Sequence, residues 1–136
     1  MNVGKLLETV NSLVPLEYAF DDDFVGLTVG SEDSKVNGVA VAHELENSIL
    51  DYSTNNNINT LITYHPPPLQ KILKDDGTET FEDDLLTAKC RESGLNIITI
   101  HTAQDVCNGG NADLSLIHIS EPTRRYAISY AVFCLK

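Results

Sequence analysis

The fold is decided by two stretches, NTLITYHPPP at residues 59–68 and LNIITIHTAQD at residues 95–105, in which a short apolar run leads into polar residues. The runs, residues 59–63 and 95–100, are rich in β-branched residues and too short for ordinary helices, so each is predicted to be a strand. Their apolar residues follow in succession, which is typical of strands buried on both faces of a parallel sheet. Three consecutive prolines end the first strand abruptly.

Amphipathic helices flank these strands along the chain. Val3, Leu6 and Val10 recur at helical spacing, and Pro15 ends that helix. The predicted helices cover residues 2–13, 46–57 and 81–93, two further predicted strands cover residues 24–29 and 36–42, and a turn is predicted at residues 75–77. Because strands that alternate with helices form right-handed crossovers, the sequence predicts an α/β fold with a mostly parallel sheet flanked by helices.

Composition limits the function classes. The chain has 136 residues and a formal net charge of −11, so it would be repelled by nucleic acid and by anionic membrane surfaces. No apolar run approaches the roughly 20 residues that a bilayer span needs, and the first residues lack a secretory apolar core. Cys90 and Cys107 do not suggest a disulfide framework. We therefore expect no direct nucleic-acid binding, no membrane insertion and a cytoplasmic location, with the nucleus and mitochondria left open.

The C-terminal segment has an unusual character. LSLIHISEPTR from Leu114 and ISYAVFCLK up to Lys136 both resemble translated sequencing-library adapter, in one reading frame. The alternative is a native amphipathic C-terminus, since the second string alternates like a strand. We expect residues 114–136 to be a non-native tail and residues 1–113 to be the native N-terminal part of the domain.

Candidate site residues follow the two decisive strands. His65 comes directly after the first, and His101 and Asp105 follow the second. In open α/β sheets ligands bind at the carboxyl ends of strands, so neighbouring strands would bring His65 and Asp105 together. Imidazole and carboxylate suit a divalent ion such as zinc, iron, manganese or cobalt. On spacing alone, a structural hydrogen-bonding role is favoured for His65 over a ligand role, and Asp105 fits a turn residue or a helix cap equally well.

The motifs VGLTVG, LITYHPP and HTAQD, followed by GGN, occur in an order that resembles the Nif-three-like dinuclear metal-centre family, also labelled GTP cyclohydrolase I type 2 homologues. The resemblance covers residues 1–113 and implies an incomplete domain of that fold. It implies that His65 and Asp105 are metal ligands and that His101 is a catalytic residue that orients water or product. Tyr64 stands where the family usually has a histidine that binds a second metal, and the Tyr form is similar to the eukaryotic branch.

The same resemblance implies the function. Such proteins complete their metal centre with a C-terminal His and Glu beyond this chain, so we expect these 136 residues to bind metal weakly or not at all and to be inactive on their own. The implied activity is that of a metal-dependent hydrolase acting on a nucleotide-like or other small substrate. The alternative is a non-enzymatic oligomeric scaffold that binds a transcriptional co-regulator. A homo-oligomer is expected for the full-length protein.

Three further polar positions receive structural interpretations. Asp22 or Asp23 matches an acidic residue of the family and is interpreted as structural. His43 departs from the family pattern and is interpreted as an exposed or capping residue. The Gly109–Gly110–Asn111 segment is interpreted as a turn with positive φ rather than as an oxyanion-binding loop.

Overall fold

The structure is a computed structural model that describes residues 1–120. The strands are β1 (Gly26–Val29), β2 (Val39–Ala42), β3 (Thr60–Thr63), β4 (Leu69–Leu73), β5 (Glu79–Asp83) and β6 (Asn96–Thr99). The helices are α1 (Val3–Leu13), α2 (Asn47–Asn55), α3 (Leu85–Glu92), α4 (His101–Val106) and α5 (Asn111–Ser120), and a short 3₁₀ helix covers Leu16–Tyr18. The predicted tail residues 121–136 lie outside the described residues, and the origin of residues 114–136 stays a prediction.

The central sheet has four strands in the order β1-β6-β3-β2. Strands β2, β3 and β6 run parallel, and β1 runs antiparallel to β6. The predicted mostly parallel α/β sheet is therefore confirmed. Ala42 is level with Thr63, Thr63 with Thr99, and Thr99 with Gly26. The carboxyl ends of three strands and the amino end of β1 consequently meet along one line, which we call the carboxyl edge.

Apolar side chains cover both faces of this sheet. Because successive strand residues point to opposite faces, Ile97 and Ile98 enter different core clusters, and both are fully buried. Ile98 packs with the apolar stripe of α1, which begins where the Asn2 side chain accepts a hydrogen bond from the Lys5 backbone N–H at 2.9 Å. Burial of each large aliphatic side chain contributes about 1.5–3 kcal/mol. None of the helices in residues 1–120 has the length and apolar character that crossing a membrane requires.

The predicted helix over residues 81–93 is wrong at its start. Residues 79–83 form β5, which pairs with β4 in a separate two-stranded antiparallel hairpin. The helix α3 begins only at Leu85, after Asp84 accepts a hydrogen bond from the Thr87 backbone N–H at 2.8 Å. The turn that closes the hairpin contains Gly77 at φ +82°. This turn lets the backbone of Glu79–Asp83 pair with that of Leu69–Leu73. Cross-strand pairing thus outweighs the helical periodicity of this segment.

Candidate functional site

Aromatic rings from three strand ends gather at the carboxyl edge. His43 follows β2, Tyr64 and His65 follow β3, and His101 follows β6. The ring centroids of His43 and His65 lie 4.6 Å apart, those of Tyr64 and His101 5.5 Å apart, and those of His65 and His101 5.7 Å apart. We call these four residues the ring cluster. The parallel order of the strands therefore brings together two of the residues that the sequence singled out, His65 and His101.

Asp105 joins the ring cluster through Tyr64. The phenol O–H of Tyr64 lies 3.0 Å from Oδ1 and 2.9 Å from Oδ2 of Asp105, and the centroid of its ring lies 5.0 Å from that of His65. Asn111 donates from Nδ2 to Oδ1 of Asp105 at 2.7 Å. Asp105 lies inside α4, so it is neither the turn residue nor the cap that the sequence also allowed. His65 and Asp105 thus both neighbour Tyr64 at the same edge, His65 beside its ring and Asp105 at its hydroxyl.

The Tyr64 phenol stays protonated in this contact, so it acts as a hydrogen-bond donor. Partial burial raises the pKa of the Tyr64 phenol above its ordinary value, and the neighbouring Asp105 carboxylate raises it further. The neutral phenol donates a hydrogen bond to the carboxylate, and the Asn111 amide donates a second one. Two neutral donors therefore stabilise the charge of Asp105 within the protein.

A second carboxylate fixes His101. Asp23 lies in the loop before β1, and its Oδ1 is 2.9 Å from Nδ1 of His101. Its Oδ2 accepts hydrogen bonds from the Thr102 hydroxyl and, at 3.3 Å, from the Thr102 backbone N–H. Partial burial alone would raise the pKa of Asp23, but the hydrogen bonds from Thr102 and His101 outweigh it and lower this pKa overall. Asp23 consequently remains a carboxylate in contact with the ring cluster.

The backbone at His101 is strained. His101 has φ +29°, a value that residues other than glycine rarely adopt. Its N–H donates to the Tyr64 carbonyl at 3.0 Å, so the strained residue is tied to the neighbouring strand end. Such conformations cost about 1–3 kcal/mol and persist where the surroundings hold them. Here the surroundings are the Tyr64 carbonyl and the Asp23 carboxylate.

Buried threonines form a rigid floor beneath the ring cluster. The hydroxyl of Thr99 lies 3.1 Å from that of Thr28 and 3.3 Å from that of Thr63. Thr63 and Thr99 are fully buried. These hydroxyls link β1, β6 and β3 just below the edge, so the strand ends that carry the site are tied together.

The positions interpreted as structural have further contacts. His43 is exposed, and its ring stacks on Tyr64 with centroids 5.2 Å apart. The Gly109–Gly110–Asn111 segment is a turn with Gly109 at φ +75°, and it brings Asn111 to Asp105. A Cβ on Gly110 would overlap the Gln104 carbonyl oxygen, so only glycine fits there. Sequence reasoning missed the contacts of Asn111 and Asp23, because neither the antiparallel direction of β1 nor the start of α4 has a local signal.

The donor types at this edge suit a divalent ion. His65 supplies an imidazole that is 42% exposed, and Asp105 supplies a carboxylate. Within residues 1–120, no group of three or more His, Cys, Asp or Glu side chains is arranged to hold a metal ion. The single O–H of Tyr64 also lies within hydrogen-bond distance of both Asp105 oxygens. The described residues therefore supply donor types that such an ion prefers, but not the three or four ligands of a usual site.

Comparison with known proteins now identifies the family. A model of the Duf34/NIF3 family (NGG1p interacting factor 3) matches residues 1–122. The chain belongs to the Duf34/NIF3 family. Among curated relatives, a GTP cyclohydrolase 1 type 2 homolog of Bacillus subtilis is 26% identical over 114 residues, which are 84% of this chain and 30% of that protein. This Duf34/NIF3 chain therefore spans less than a third of the length of that relative.

Solved structures support the same fold. A hypothetical protein of Staphylococcus aureus superposes on this Duf34/NIF3 chain with a TM-score of 0.70 and 29% identity, covering 87% of this chain and 33% of that one. A Bacillus cereus protein related to NIF3 superposes with a TM-score of 0.70 and 25% identity, covering 88% of this chain and 33% of that one. The predicted resemblance to the Nif-three-like family is thus confirmed.

Proposed function

We propose that this chain provides the N-terminal part of a divalent-metal site in a metal-dependent hydrolase, with His65 and Asp105 as ligands. The observation that carries the proposal is the meeting of His65, Tyr64 and Asp105 at the carboxyl edge, where ligands bind in open α/β sheets. Zinc, iron, manganese or cobalt would suit this imidazole and carboxylate pair. A cytoplasmic location belongs to the same proposal.

Each residue has a part in this chemistry. His65 and Asp105 would hold a divalent ion, which when bound would lower the pKa of a bound water and polarise a carbonyl or phosphoryl oxygen. Tyr64 orients the Asp105 carboxylate by its hydrogen bond at 2.9 Å, and the Asn111 amide donates a second hydrogen bond to Oδ1. His101, held by Asp23, is placed to orient water or product by hydrogen bonding. The threonine floor keeps these groups in register.

The substrate class is proposed from the relatives' names. The curated relatives are called GTP cyclohydrolase 1 type 2 homologs, which favours a nucleotide-like or other small substrate. The chain itself has a net charge of −11, so an anionic substrate would need local cationic help at the site. A divalent ion at His65 and Asp105 is a suitable source of that charge.

Paramagnetic titration tests the ligand assignment even where affinity is low. We expect Mn²⁺ or Co²⁺ added to the ¹⁵N-labelled chain to broaden amide signals first near residues 64–66 and 104–106. The His65→Ala and Asp105→Ala variants should lose this broadening. Asp51→Ala, which removes an exposed carboxylate on α2, is the matched control and should keep it. Broadening that is indifferent to His65→Ala would contradict the assignment.

Activity needs a separate measurement on a longer protein. A version that spans the full length of the curated relatives should be screened for metal content and nucleotide hydrolysis, with and without His65→Ala. Activity that disappears on chelation and in His65→Ala would support the hydrolase. Bound metal without turnover on any nucleotide would favour a structural role for the ion.

The second candidate is an oligomeric scaffold, and the hairpin β4–β5 favours it. Leu73 and Phe81 lie on one face of the hairpin and are 68% and 65% exposed. Such a face is suited to a second copy of the chain. The family description names an interacting factor, and a co-regulator is a further candidate partner. Sedimentation should show Phe81→Ser weakening self-association while Tyr52→Ser, at a 58% exposed tyrosine on α2, leaves it unchanged.

A further inference from the structure

The contacts of Asp23 have directions that can be read from the atoms involved. The Phe20 backbone N–H donates to the Thr102 hydroxyl oxygen at 3.2 Å, which leaves the Thr102 O–H free to donate to Oδ2 of Asp23. The Thr102 backbone N–H can only donate, and it also bonds Oδ2. Oδ2 is therefore an acceptor of two hydrogen bonds, and within residues 1–120 the partner of Oδ1 is His101.

These directions determine the tautomer of His101. A carboxylate oxygen can only accept, so the Nδ1 atom 2.9 Å from Oδ1 must carry the proton. A neutral imidazole protonated on Nδ1 has a lone pair on Nε2. Among the residues that the structure describes, none hydrogen-bonds Nε2 of His101. Nε2 is thus the hydrogen-bond acceptor of this ring.

The location of this nitrogen matters for the site. The His101 ring lies edge-on to Tyr64 and His65, 5.5 and 5.7 Å away between centroids. Its side chain is 25% exposed, and that of Asp23 is 13% exposed, so the pair is shielded but the ring remains accessible. The positive φ of His101 and its N–H bond to the Tyr64 carbonyl fix the backbone from which the ring extends.

We infer that Asp23 is a positioning residue, which holds His101 as the Nδ1–H tautomer so that Nε2 accepts a hydrogen bond from a water molecule or substrate hydroxyl beside His65 and Asp105. This inference rests on the proposed function and deepens it, because it assigns a role to an acidic residue that the sequence pattern left as structural. The contact with Asp23 is one of the interactions that hold His101 at its positive φ.

The tautomer can be measured directly. Two-bond ¹H–¹⁵N correlation spectra of the 136-residue chain distinguish the two imidazole tautomers, and the His101→Gln variant identifies the signals of His101. The wild-type chain should show Nδ1–H at a pH where the ring is neutral. In Asp23→Asn, the two Thr102 donors retain the amide oxygen, so the amide NH₂ faces Nδ1 and the tautomer should invert to Nε2–H. Asp22→Asn, at an exposed neighbour, should behave as wild type.

Two results would overturn the inference. One is a wild-type chain whose His101 is already the Nε2–H tautomer, and this reading needs no variant to fold. The other is Asp23→Asn with dispersed amide signals and an unchanged tautomer. Asp23→Glu, which keeps a carboxylate, should restore the Nδ1–H form if Asp23 acts by accepting that proton.

The metal titration separates this inference from the proposed function. His65-dependent broadening together with a wild-type Nε2–H tautomer would overturn the positioning role alone. The expected tautomer in this chain, together with a longer protein of the curated relatives' length whose metal content is the same with and without His65→Ala, would overturn the proposed function and leave Asp23 as a structural partner of His101.

Discussion

Replacing Tyr64 by phenylalanine isolates the contact that joins the two halves of the candidate site. The substitution keeps the ring among His43, His65 and His101 and removes only the O–H that lies 2.9 and 3.0 Å from the two oxygens of Asp105. A single proton is shared between these oxygens, so one hydrogen bond to a charged acceptor is lost. Such a bond contributes about 1.5–3 kcal/mol.

We expect the low end of that range, about 1.5 kcal/mol, because Asp105 is only partly buried and water can replace the phenol. Asn111 also keeps its own bond to Oδ1. A loss of this size lowers the ratio of folded to unfolded chain roughly tenfold, and it lowers Tm by about 6 °C in a domain of this size. Urea unfolding at pH 7 measures the free energy of unfolding, with Tyr52→Phe, on an exposed tyrosine, as the control that should change it by less than about 0.5 kcal/mol.

The pH dependence provides a second check. The folded-state pKa of Tyr64 is raised, so its contribution to stability is fully present below the unfolded value of about 10 and is lost as pH rises through the folded value. The stability curves of the wild type and Tyr64→Phe should therefore run parallel near neutrality and converge above pH 10. Equal stability of Tyr64→Phe and Tyr52→Phe at pH 7, or curves that stay parallel at high pH, would refute the reasoning.

Three further predictions use other parts of the structure. Leu61→Ala empties a fully buried core position and should lower the free energy of unfolding, measured with urea, by about 2–5 kcal/mol. Val41→Ala, at a 77% exposed position, is the control and should change this free energy by less than about 0.5 kcal/mol. The lowered pKa of Asp23 gives stability that is present above the unfolded value of about 4 and is lost as pH falls through the lower folded value. Urea unfolding should therefore show Asp23→Asn flattening the stability curve only below about pH 5, and an unchanged curve there would contradict this role. Burial raises the pKa of the Cys90 thiol to about 11. Alkylation of Cys90 at pH 8, followed by peptide mass mapping, should therefore be about 100-fold slower in the folded chain than in urea, and equal rates would contradict the buried position.

The sheet could be predicted because its signals are local and redundant. Residues 60–63 and 96–99 are short apolar runs that fit only buried strands, and the prolines and polar residues after them mark where the strands end. Since parallel neighbours present their carboxyl ends at the same edge, the pattern could place the residues that follow both strands at one edge. The prediction paired His65 with Asp105; in the structure the His65 ring lies 5.7 Å from that of His101, and Asp105 reaches the edge through Tyr64. The hairpin did not follow, because Glu79–Asp83 is polar and its strand character comes from pairing with Leu69–Leu73.

The carboxylates of the site reach it through contacts between segments that are distant in sequence. The direction of β1 is set by its antiparallel pairing with β6, and this pairing carries Asp23 to the carboxyl edge, 78 residues in sequence from His101. Likewise, α4 turns Asp105 back toward Tyr64, and the tight packing of Gly110 against the Gln104 carbonyl brings Asn111 to the same carboxylate. The sequence pattern could locate the imidazoles, since each directly follows a strand. It could not locate the groups that orient them, since those are delivered by a loop, a helix and a turn.

The rings come from strand ends and the two carboxylates from segments outside the sheet, and this difference in origin explains why they have different roles. The rings are anchored by short connections to the rigid threonine floor, so their spacing follows from the sheet itself. Asp23 and Asp105 come from segments outside the sheet, and each is held by donors of its own: Thr102 for Asp23, and Tyr64 with Asn111 for Asp105. Substitutions of these donors should therefore alter the orientation of His101 or Asp105 while leaving the sheet intact. A site built in this way can vary its chemistry at the edge without a change in the core that supports it.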